Sequence, residues 1–167
     1  MHGGPPLTPP HPTRPPARAS RRGAASLGIL TVALVLSSCT SAVKVAPFDG
    51  AETQECHAVG AQWPSTVGDA QWRETAVDSV TVAAWGDPAI IARCGAIPPG
   101  PTDDLCLDIA GVDWIVEELD DGTSFTTYGR SPAIQVLVPD AYDTPPLLLP
   151  AFVPAAEVIE QGPNRCS

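Results

Sequence analysis

The residues of this chain that could act as nucleophiles or bases are few. After position 38 there is one histidine, His57, and it stands directly beside Cys56. A thiol–imidazole pair requires a free thiol, and adjacent residues of a helix point about 100° apart, so these two side chains would not face each other. The sequence also contains no Gly-x-Ser-x-Gly motif, the turn that exposes a catalytic serine in many hydrolases. We therefore predict no catalytic residue, and the protein is not expected to be an enzyme.

Paired carboxylates are the second candidate chemistry. Acidic residues stand side by side three times, at positions 103–104, 117–118 and 120–121. Glycoside hydrolysis needs two carboxyl groups that face each other across a cleft and differ in pKa, whereas neighbours on loops and turns are most often solvated. The aspartates between positions 103 and 113 also lack the regular spacing of a calcium loop. We expect no metal and no cofactor, and a carboxylate-dependent enzyme acting on cell-wall sugar or peptide is the alternative.

A third possibility is an aromatic platform on which sugars stack. The sequence contains four tryptophans, Trp63, Trp72, Trp85 and Trp114. The whole chain has only two tyrosines and three phenylalanines besides. In so sparse a set, large aromatic side chains usually supply the packing of the core, so we interpret the tryptophans as core residues.

The cysteines beyond position 39 predict two disulfide bonds. They are Cys56, Cys94, Cys106 and Cys166. An even number of cysteines in an exported domain is typical of a disulfide framework, and without a Cys-x-x-Cys pair a zinc or redox site is disfavoured. Three pairings are possible. We favour Cys56–Cys94 with Cys106–Cys166, because they would tie the first helix and the tail to the sheet, each adding roughly 4 kcal/mol in the chain-entropy model.

The first 38 residues have the layout of a secretory signal peptide. They hold seven of the twenty prolines, four arginines and no acidic residue, and an apolar run follows at positions 24–36. That run is too short for a bilayer core, which needs about 20 apolar residues. Leu36-Ser37-Ser38-Cys39 resembles the lipobox of bacterial lipoproteins, which implies cleavage before Cys39 and lipidation of its thiol. The alternatives are an ordinary signal peptide or an uncleaved anchor, and Ser20-Arg21-Arg22 leaves the export route open between general secretory and twin-arginine.

Removal of residues 1–38 would leave a strongly acidic protein. All nineteen acidic residues and only five basic ones follow position 38, which gives a net charge of −14. Binding to a phosphate backbone depends on Lys and Arg, so nucleic acid is not an expected partner, and anionic headgroups are disfavoured too. The charge fits solubility through self-repulsion better than an acidic recognition surface.

The mature part is predicted to be a tether over 39–50 followed by one domain over 51–167. The tether would reach at most about 35 Å. We predict an α+β fold, in which a small antiparallel meander lies between an N-terminal helix and a short C-terminal helix. The predicted elements are a helix at 51–62, strands at 71–77, 81–85, 89–94, 105–109, 112–119, 123–128 and 134–138, an extended cover at 147–149, and a helix at 154–161. The turn Asp120-Asp121-Gly122 is a strong hairpin signal.

Four motifs in order resemble a family of uncharacterised actinobacterial envelope proteins, domain-of-unknown-function family 3515. They are Ala84-Trp85-Gly86-Asp87-Pro88-Ala89-Ile90, Arg93-Cys94-Gly95, Gly111-Val112-Asp113-Trp114 and Phe125-Thr126-Thr127-Tyr128-Gly129-Arg130. The resemblance implies a lipoprotein or membrane-attached protein without an assigned activity. Its polar positions Asp87, Asp113 and Arg130 form the candidate site, and we expect Arg93 and Arg130 to pair with carboxylates such as Asp87 or Asp113.

The function expected from these features is a non-catalytic lipoprotein on the outer face of the cell membrane. The membrane would be its partner through lipidated Cys39, and an envelope protein would be its second partner. A purely structural role in the envelope is a further hypothesis.

Overall fold

The fold is that of a computed structural model, which describes residues 1–4 and 41–167. Residues 5–38 of the predicted signal peptide, the predicted cleavage site and Cys39, the predicted site of lipidation, lie outside the described residues. The elements below all belong to the unit Cys39–Ser167. Within the described part of the chain, no helix has both the length and the apolar character that crossing a bilayer requires.

Eight antiparallel strands and short helices make up the fold, which confirms the predicted α+β class. Helix α1 (Gln54–Gly60) comes first, and a 3-10 helix (Pro145–Phe152) and helix α2 (Val153–Ala156) come last. The strands are β1 (Thr66–Val67), β2 (Ala70–Arg73), β3 (Val82–Trp85), β4 (Ile90–Ala96), β5 (Cys106–Ile109), β6 (Val112–Leu119), β7 (Gly122–Thr127) and β8 (Ala133–Pro139). Their order in the sheet is β1-β2-β3-β4-β8-β7-β6-β5. Two four-stranded meanders are therefore joined where β4 pairs with β8.

The core lies between one face of the sheet and the helices. Cross-strand pairing aligns Ala92 on β4 with Val136 on β8 and Phe125 on β7, and all three are fully buried. Side chains from the helical segments close this face, among them Val59, Leu149, Phe152 and Ala155. Burial of such apolar side chains, worth about 1.5–3 kcal/mol for each large one, is the main source of stability.

Both disulfides have the pairing favoured from the sequence. Cys56 on α1 is bonded to Cys94 on β4, and Cys106 on β5 is bonded to Cys166 near the C-terminus. The first bond is fully buried in the core. The two bonds therefore fix the first helix and the tail to the sheet.

Several element boundaries differ from the predictions. Helix α1 begins at Gln54 because the hydroxyl of Thr53 caps it, accepting a hydrogen bond from the backbone N–H of Cys56 at 3.2 Å. The strand predicted at 71–77 stops at Arg73, and the helix predicted at 154–161 is confined to Val153–Ala156.

The prediction of an extended cover at 147–149 is wrong, because these residues form part of the 3-10 helix. Prolines are tolerated in the first turn of a helix, where their fixed φ suits the helix and no N–H is needed. Leu149 is buried against the sheet, as expected of a cover, whereas Leu147 is 74% exposed.

Residues 41–50, which we call the docked segment, lie against the sheet. Val43 pairs in parallel with Thr75, and its N–H donates to the carbonyl oxygen of Glu74 at 2.8 Å. The guanidinium of Arg73 donates to the carbonyl oxygen of Ser41, also at 2.8 Å. The docked segment therefore extends the edge of the sheet beyond β2, which the description of these residues as a tether did not anticipate.

The docked segment then crosses the face of the sheet opposite the helices. The guanidinium of Arg93 donates to the carbonyl oxygen of Ala46 at 3.3 Å and lies over the ring of Phe48, 4.1 Å from its centroid. At Gly95, φ is +108° and the β4–β8 register shifts. A Cβ at this position would lie 2.6 Å from the carbonyl carbon of Gly50, so the close approach requires glycine.

Candidate binding groove

Two of the three predicted polar-site residues, Asp113 and Arg130, belong to one charged cluster beneath the C-terminal tail. Asp113 lies on β6 with its side chain 3% exposed, and its Oδ2 is 3.8 Å from Nη1 of Arg165. Arg130 is buried after β7 and donates from Nη1 to the carbonyl oxygen of Ile159. Burial lowers the pKa of Arg130, as does the positive charge of Arg165, while Glu157 and Asp113 oppose the change.

The third residue, Asp87, lies at the opposite end of the sheet. It precedes β4, whose residue Ile91 is level with Leu137 on β8. At the other end of the sheet, the carbonyl oxygen of Asp113 accepts a hydrogen bond from the N–H of Tyr128 at 2.8 Å, so Asp113 lies level with Tyr128. The seven residues of β4 run between the level of Asp87 and the level of Asp113, which therefore lie roughly 20 Å apart. The three predicted polar residues therefore do not form one site.

The predicted ion pairs of Arg93 and Arg130 are wrong. Asp87 pairs instead with Arg73, whose Nη1 is 3.3 Å from Oδ1, and Asp113 pairs with Arg165. Arg93 donates to the amide oxygen of Gln135 and to a carbonyl oxygen of the docked segment, and burial lowers its pKa. The hydrogen bonds that the two guanidinium groups make go from their Nη atoms to uncharged oxygen atoms, because segments distant in sequence pack over them.

A groove with a volume of about 690 Å³, which we call the acidic groove, lies at the end of the sheet where β4 begins and β8 ends. Its apolar floor includes Ile91, Leu119 and Leu137, from three different strands. Three exposed carboxylates stand around it, contributed by Asp120, Asp121 and Asp140. The hairpin turn between β6 and β7 supplies the first two, and the segment after β8 supplies the third.

Backbone contacts fix the two sides of the acidic groove. The N–H of Asp140 donates to the carbonyl oxygen of Asp121 at 3.2 Å, which joins the hairpin turn to the end of β8. The groove thus combines an apolar surface with negative charge on a rigid sheet. Such a surface suits a ligand that is apolar and positively charged.

A second surface, which we call the tryptophan groove, has a volume of about 580 Å³ and is lined by Trp63, Trp72 and Val80. The rings of Trp63 and Trp72 both stand edge-on to the buried ring of Trp85, with centroids 6.5 and 5.4 Å away. The indole N–H of Trp63 donates to the carbonyl oxygen of Val80 at 2.9 Å. The prediction that tryptophans belong to the core is correct for Trp85 and Trp114, whereas Trp72 is 49% exposed.

The described residues contain no candidate metal-binding site. In the part of the chain that the structure describes, no three His, Cys, Asp or Glu side chains converge in a way that could hold an ion. The acidic groove is lined by aspartates and by neutral residues such as Thr123 and Pro139. Sequence reasoning identified Asp120 and Asp121 as a turn but had no signal that β8 would bring Asp140 beside them.

Comparison with known proteins agrees with the motif resemblance. No curated protein and no solved structure matches the chain. The sequence does match the family described as protein of unknown function (DUF3515), over residues 24–159 of the 167. That match covers most of the chain and includes all four motifs, so the chain belongs to the DUF3515 family.

Proposed function

We propose that the protein is a non-catalytic binding module, held by lipid at Cys39 on the outer face of the cell membrane. Its ligand would be a basic, partly apolar segment of another envelope component, bound in the acidic groove. The groove carries this proposal, because it places three carboxylates around an apolar floor built from separate strands. The net charge of −14 that follows position 38 would attract such a segment and speed its association.

Two observations support the extracytoplasmic location. The four cysteines of the domain form two disulfides, and such bonds persist in oxidising compartments and are rare in the cytosol. The sequence before Cys39 has the order of a lipoprotein signal, a basic region followed by a short apolar run and the lipobox-like residues. Two acyl chains on a diacylglyceryl group suffice for stable anchoring, whereas one chain binds only marginally.

Capture of a partner from detergent-solubilised membranes tests the binding function. The groove variant would carry Asp120→Asn, Asp121→Asn and Asp140→Asn. A control with the same change in charge would neutralise exposed acids outside the groove, through Asp103→Asn, Glu55→Gln and Glu160→Gln. We expect the wild-type protein and the control to recover the same partner, with recovery that falls as salt rises.

The groove variant is expected to recover little or none of that partner. Equal recovery by the groove variant and the wild type would show that the acidic groove is not the binding site. Recovery of no partner by any of the three proteins would contradict the binding function itself.

Anchoring is tested separately by expressing the full chain in a bacterium that processes lipoproteins. Intact mass should show a chain that begins at Cys39 and carries two or more acyl groups, recovered in the membrane fraction. Cys39→Ser should abolish the added mass and release the domain from the membrane. A wild-type chain that retains residues 1–38 would overturn the anchoring proposal.

A carboxylate-dependent enzyme acting on cell-wall sugar or peptide is the second candidate function. The observation in its favour is that Asp121 and Asp140 reach one concave surface from different elements. Incubation with purified cell-wall fragments would test it by mass spectrometry of the products. Turnover that disappears in either Asp121→Asn or Asp140→Asn would support an enzyme over a binding module.

A further inference from the structure

The docked segment leaves very little free chain between the proposed lipid and the folded domain. Ser41 is already held, because its carbonyl oxygen accepts a hydrogen bond from Arg73 at 2.8 Å, and Val43 is paired with Thr75. Cys39 precedes Ser41 by two residues. Whatever their conformation, two residues span at most about 7 Å.

That distance is comparable to the thickness of the lipid headgroups. The polar layer on each side of the hydrocarbon core is roughly 5–8 Å thick. A diacylglyceryl group on Cys39 would be rooted at the inner boundary of this layer. The first docked residue would therefore lie within the headgroups or immediately above them, and the part of the sheet edge where the docked segment lies beside β2, beyond the short strand β1, would face the membrane.

Trp72 lies on β2 in this region, with its side chain on the face of the strand opposite that of Arg73. It directly precedes Arg73, the residue that holds Ser41, and 49% of its surface is exposed. Its ring packs edge-on against buried Trp85 at 90°, which fixes its position. Tryptophan prefers the membrane–water interface, because its apolar ring and polar N–H suit the headgroup level.

The surroundings of Trp72 favour shallow contact over insertion. Exposed Val80 lines the tryptophan groove beside Trp72 and adds apolar surface. Two carboxylates, those of Glu74 and Asp78, line the same groove and are exposed. Charged groups are costly in the hydrocarbon core, so they limit the contact to the level of the headgroups.

We propose that Trp72 is a second membrane contact, beside the lipid at Cys39, which fixes the orientation of the domain on the bilayer surface. The proposal rests on the proposed lipid anchor. In this orientation β4, which lines the acidic groove, lies two strands from the β2 edge, or about 10 Å further from the membrane. The groove is then open to components of the surrounding envelope.

Quenching of tryptophan fluorescence by lipid tests this orientation. The lipidated protein would be reconstituted into phosphatidylcholine vesicles, with and without lipids that carry a spin label near the headgroup. The wild type should lose part of its emission in the labelled vesicles. Trp72→Phe should abolish this loss, and Trp63→Phe, which changes the neighbouring indole, should retain it.

Two further measurements keep the failure of the anchor distinct from the failure of the membrane contact. Intact mass reports whether the protein carries lipid, and Cys39→Ser should show no quenching because it does not bind the vesicles. A lipidated wild type whose emission is insensitive to the labelled lipid, but is quenched by acrylamide in the water, would overturn the proposal. The Trp72 indole would then be free for a soluble ligand.

Discussion

Arg130 donates a hydrogen bond from its buried guanidinium to the carbonyl oxygen of Ile159, across 29 residues of sequence. An antiparallel bridge between Arg130 and Gln161 continues the contact. The C-terminal tail is thereby held against the sheet before the disulfide at Cys166 is reached. Hydrogen bonds to Arg130 and the Cys106–Cys166 disulfide thus both hold the C-terminal tail in place.

Replacing Arg130 with methionine should lower the melting temperature. Arg130 is 6% exposed, so the change leaves the carbonyl of Ile159 without its donor and removes positive charge near buried Asp113. An unpaired buried acceptor costs about 1–3 kcal/mol. We expect a loss of about 2 kcal/mol, measured by urea denaturation and calorimetry.

The same substitution at Arg165 is the matched control. Its side chain is 55% exposed, so water screens much of its 3.8 Å ion pair with buried Asp113, and Arg165→Met should cost less than Arg130→Met. Equal losses for the two variants would show that burial of Arg130 does not determine its contribution.

Removal of the two disulfides one at a time should have different structural effects. Each double serine variant should lose about 2–5 kcal/mol. Cys106→Ser with Cys166→Ser releases the tail, so amide exchange should rise mainly after Ile159. Cys56→Ser with Cys94→Ser removes a fully buried bond between α1 and β4, so exchange should rise in α1 and the core strands. An exchange pattern that is the same for both variants would contradict this division.

Gly86→Ala should destabilise the domain more than Gly111→Ala. Both glycines have positive φ, +74° and +87°, so an alanine at either position is strained by about 1 kcal/mol. A Cβ at Gly86 would also collide with the hydroxyl of Tyr142, whereas Gly111 has no atom within 4 Å of that position. We expect a loss of about 3 kcal/mol for Gly86→Ala and about 1 kcal/mol for Gly111→Ala, from urea denaturation.

A third variant separates the collision from the strain at Gly86. In a Tyr142→Phe background the hydroxyl is absent, so Gly86→Ala should cost less than it does in the wild type. If its cost is unchanged in that background, contact with Tyr142 is not the cause of the difference between the two glycines.

Stability should fall at alkaline pH in a way that depends on Tyr142. Burial raises the pKa of the Tyr142 phenol, the charge of Asp87 raises it further, and Arg73 opposes them. The hydroxyl donates to the carbonyl oxygen of Pro88 at 2.8 Å, which requires the protonated form. Above the unfolded pKa of about 10, the unfolded chain loses this proton first. The stability from Tyr142 is therefore fully present below pH 10 and is lost as pH rises through the folded pKa.

Urea denaturation between pH 7 and pH 11 measures this effect. The difference in unfolding free energy between the wild type and Tyr142→Phe should stay constant up to about pH 10 and decrease above it. A difference that is independent of pH over the whole range would contradict the raised pKa.

The second half of the sheet was predictable because its information is local. Alternating apolar residues and the Asp120-Asp121-Gly122 turn define β6, β7 and their register, and the structure pairs Leu119 with Gly122 across that turn. The disulfide pairing followed from placing α1 and the tail near the sheet. Consistent local signals of this kind need no knowledge of distant contacts.

The parts that were not predictable depend on contacts between distant segments. The pairing of β4 with β8, which places Ile91 beside Leu137, has no local sequence signal, and it creates the acidic groove. Sequence could not show that the carbonyl of Ala46 would satisfy Arg93, because that contact spans 47 residues. Candidate ion pairs chosen from charge alone were wrong for the same reason.

The ends of the eight-stranded sheet offer little free backbone to other molecules. At one end β1 has two residues, and Val43 occupies the hydrogen-bonding groups that follow β2. At the other end β5 has four residues and begins at a cysteine bonded to the tail. Open strand edges are templates on which other chains polymerise. Copies of this protein crowded side by side would therefore resist joining into continuous fibrils, despite a fold built mainly of strands.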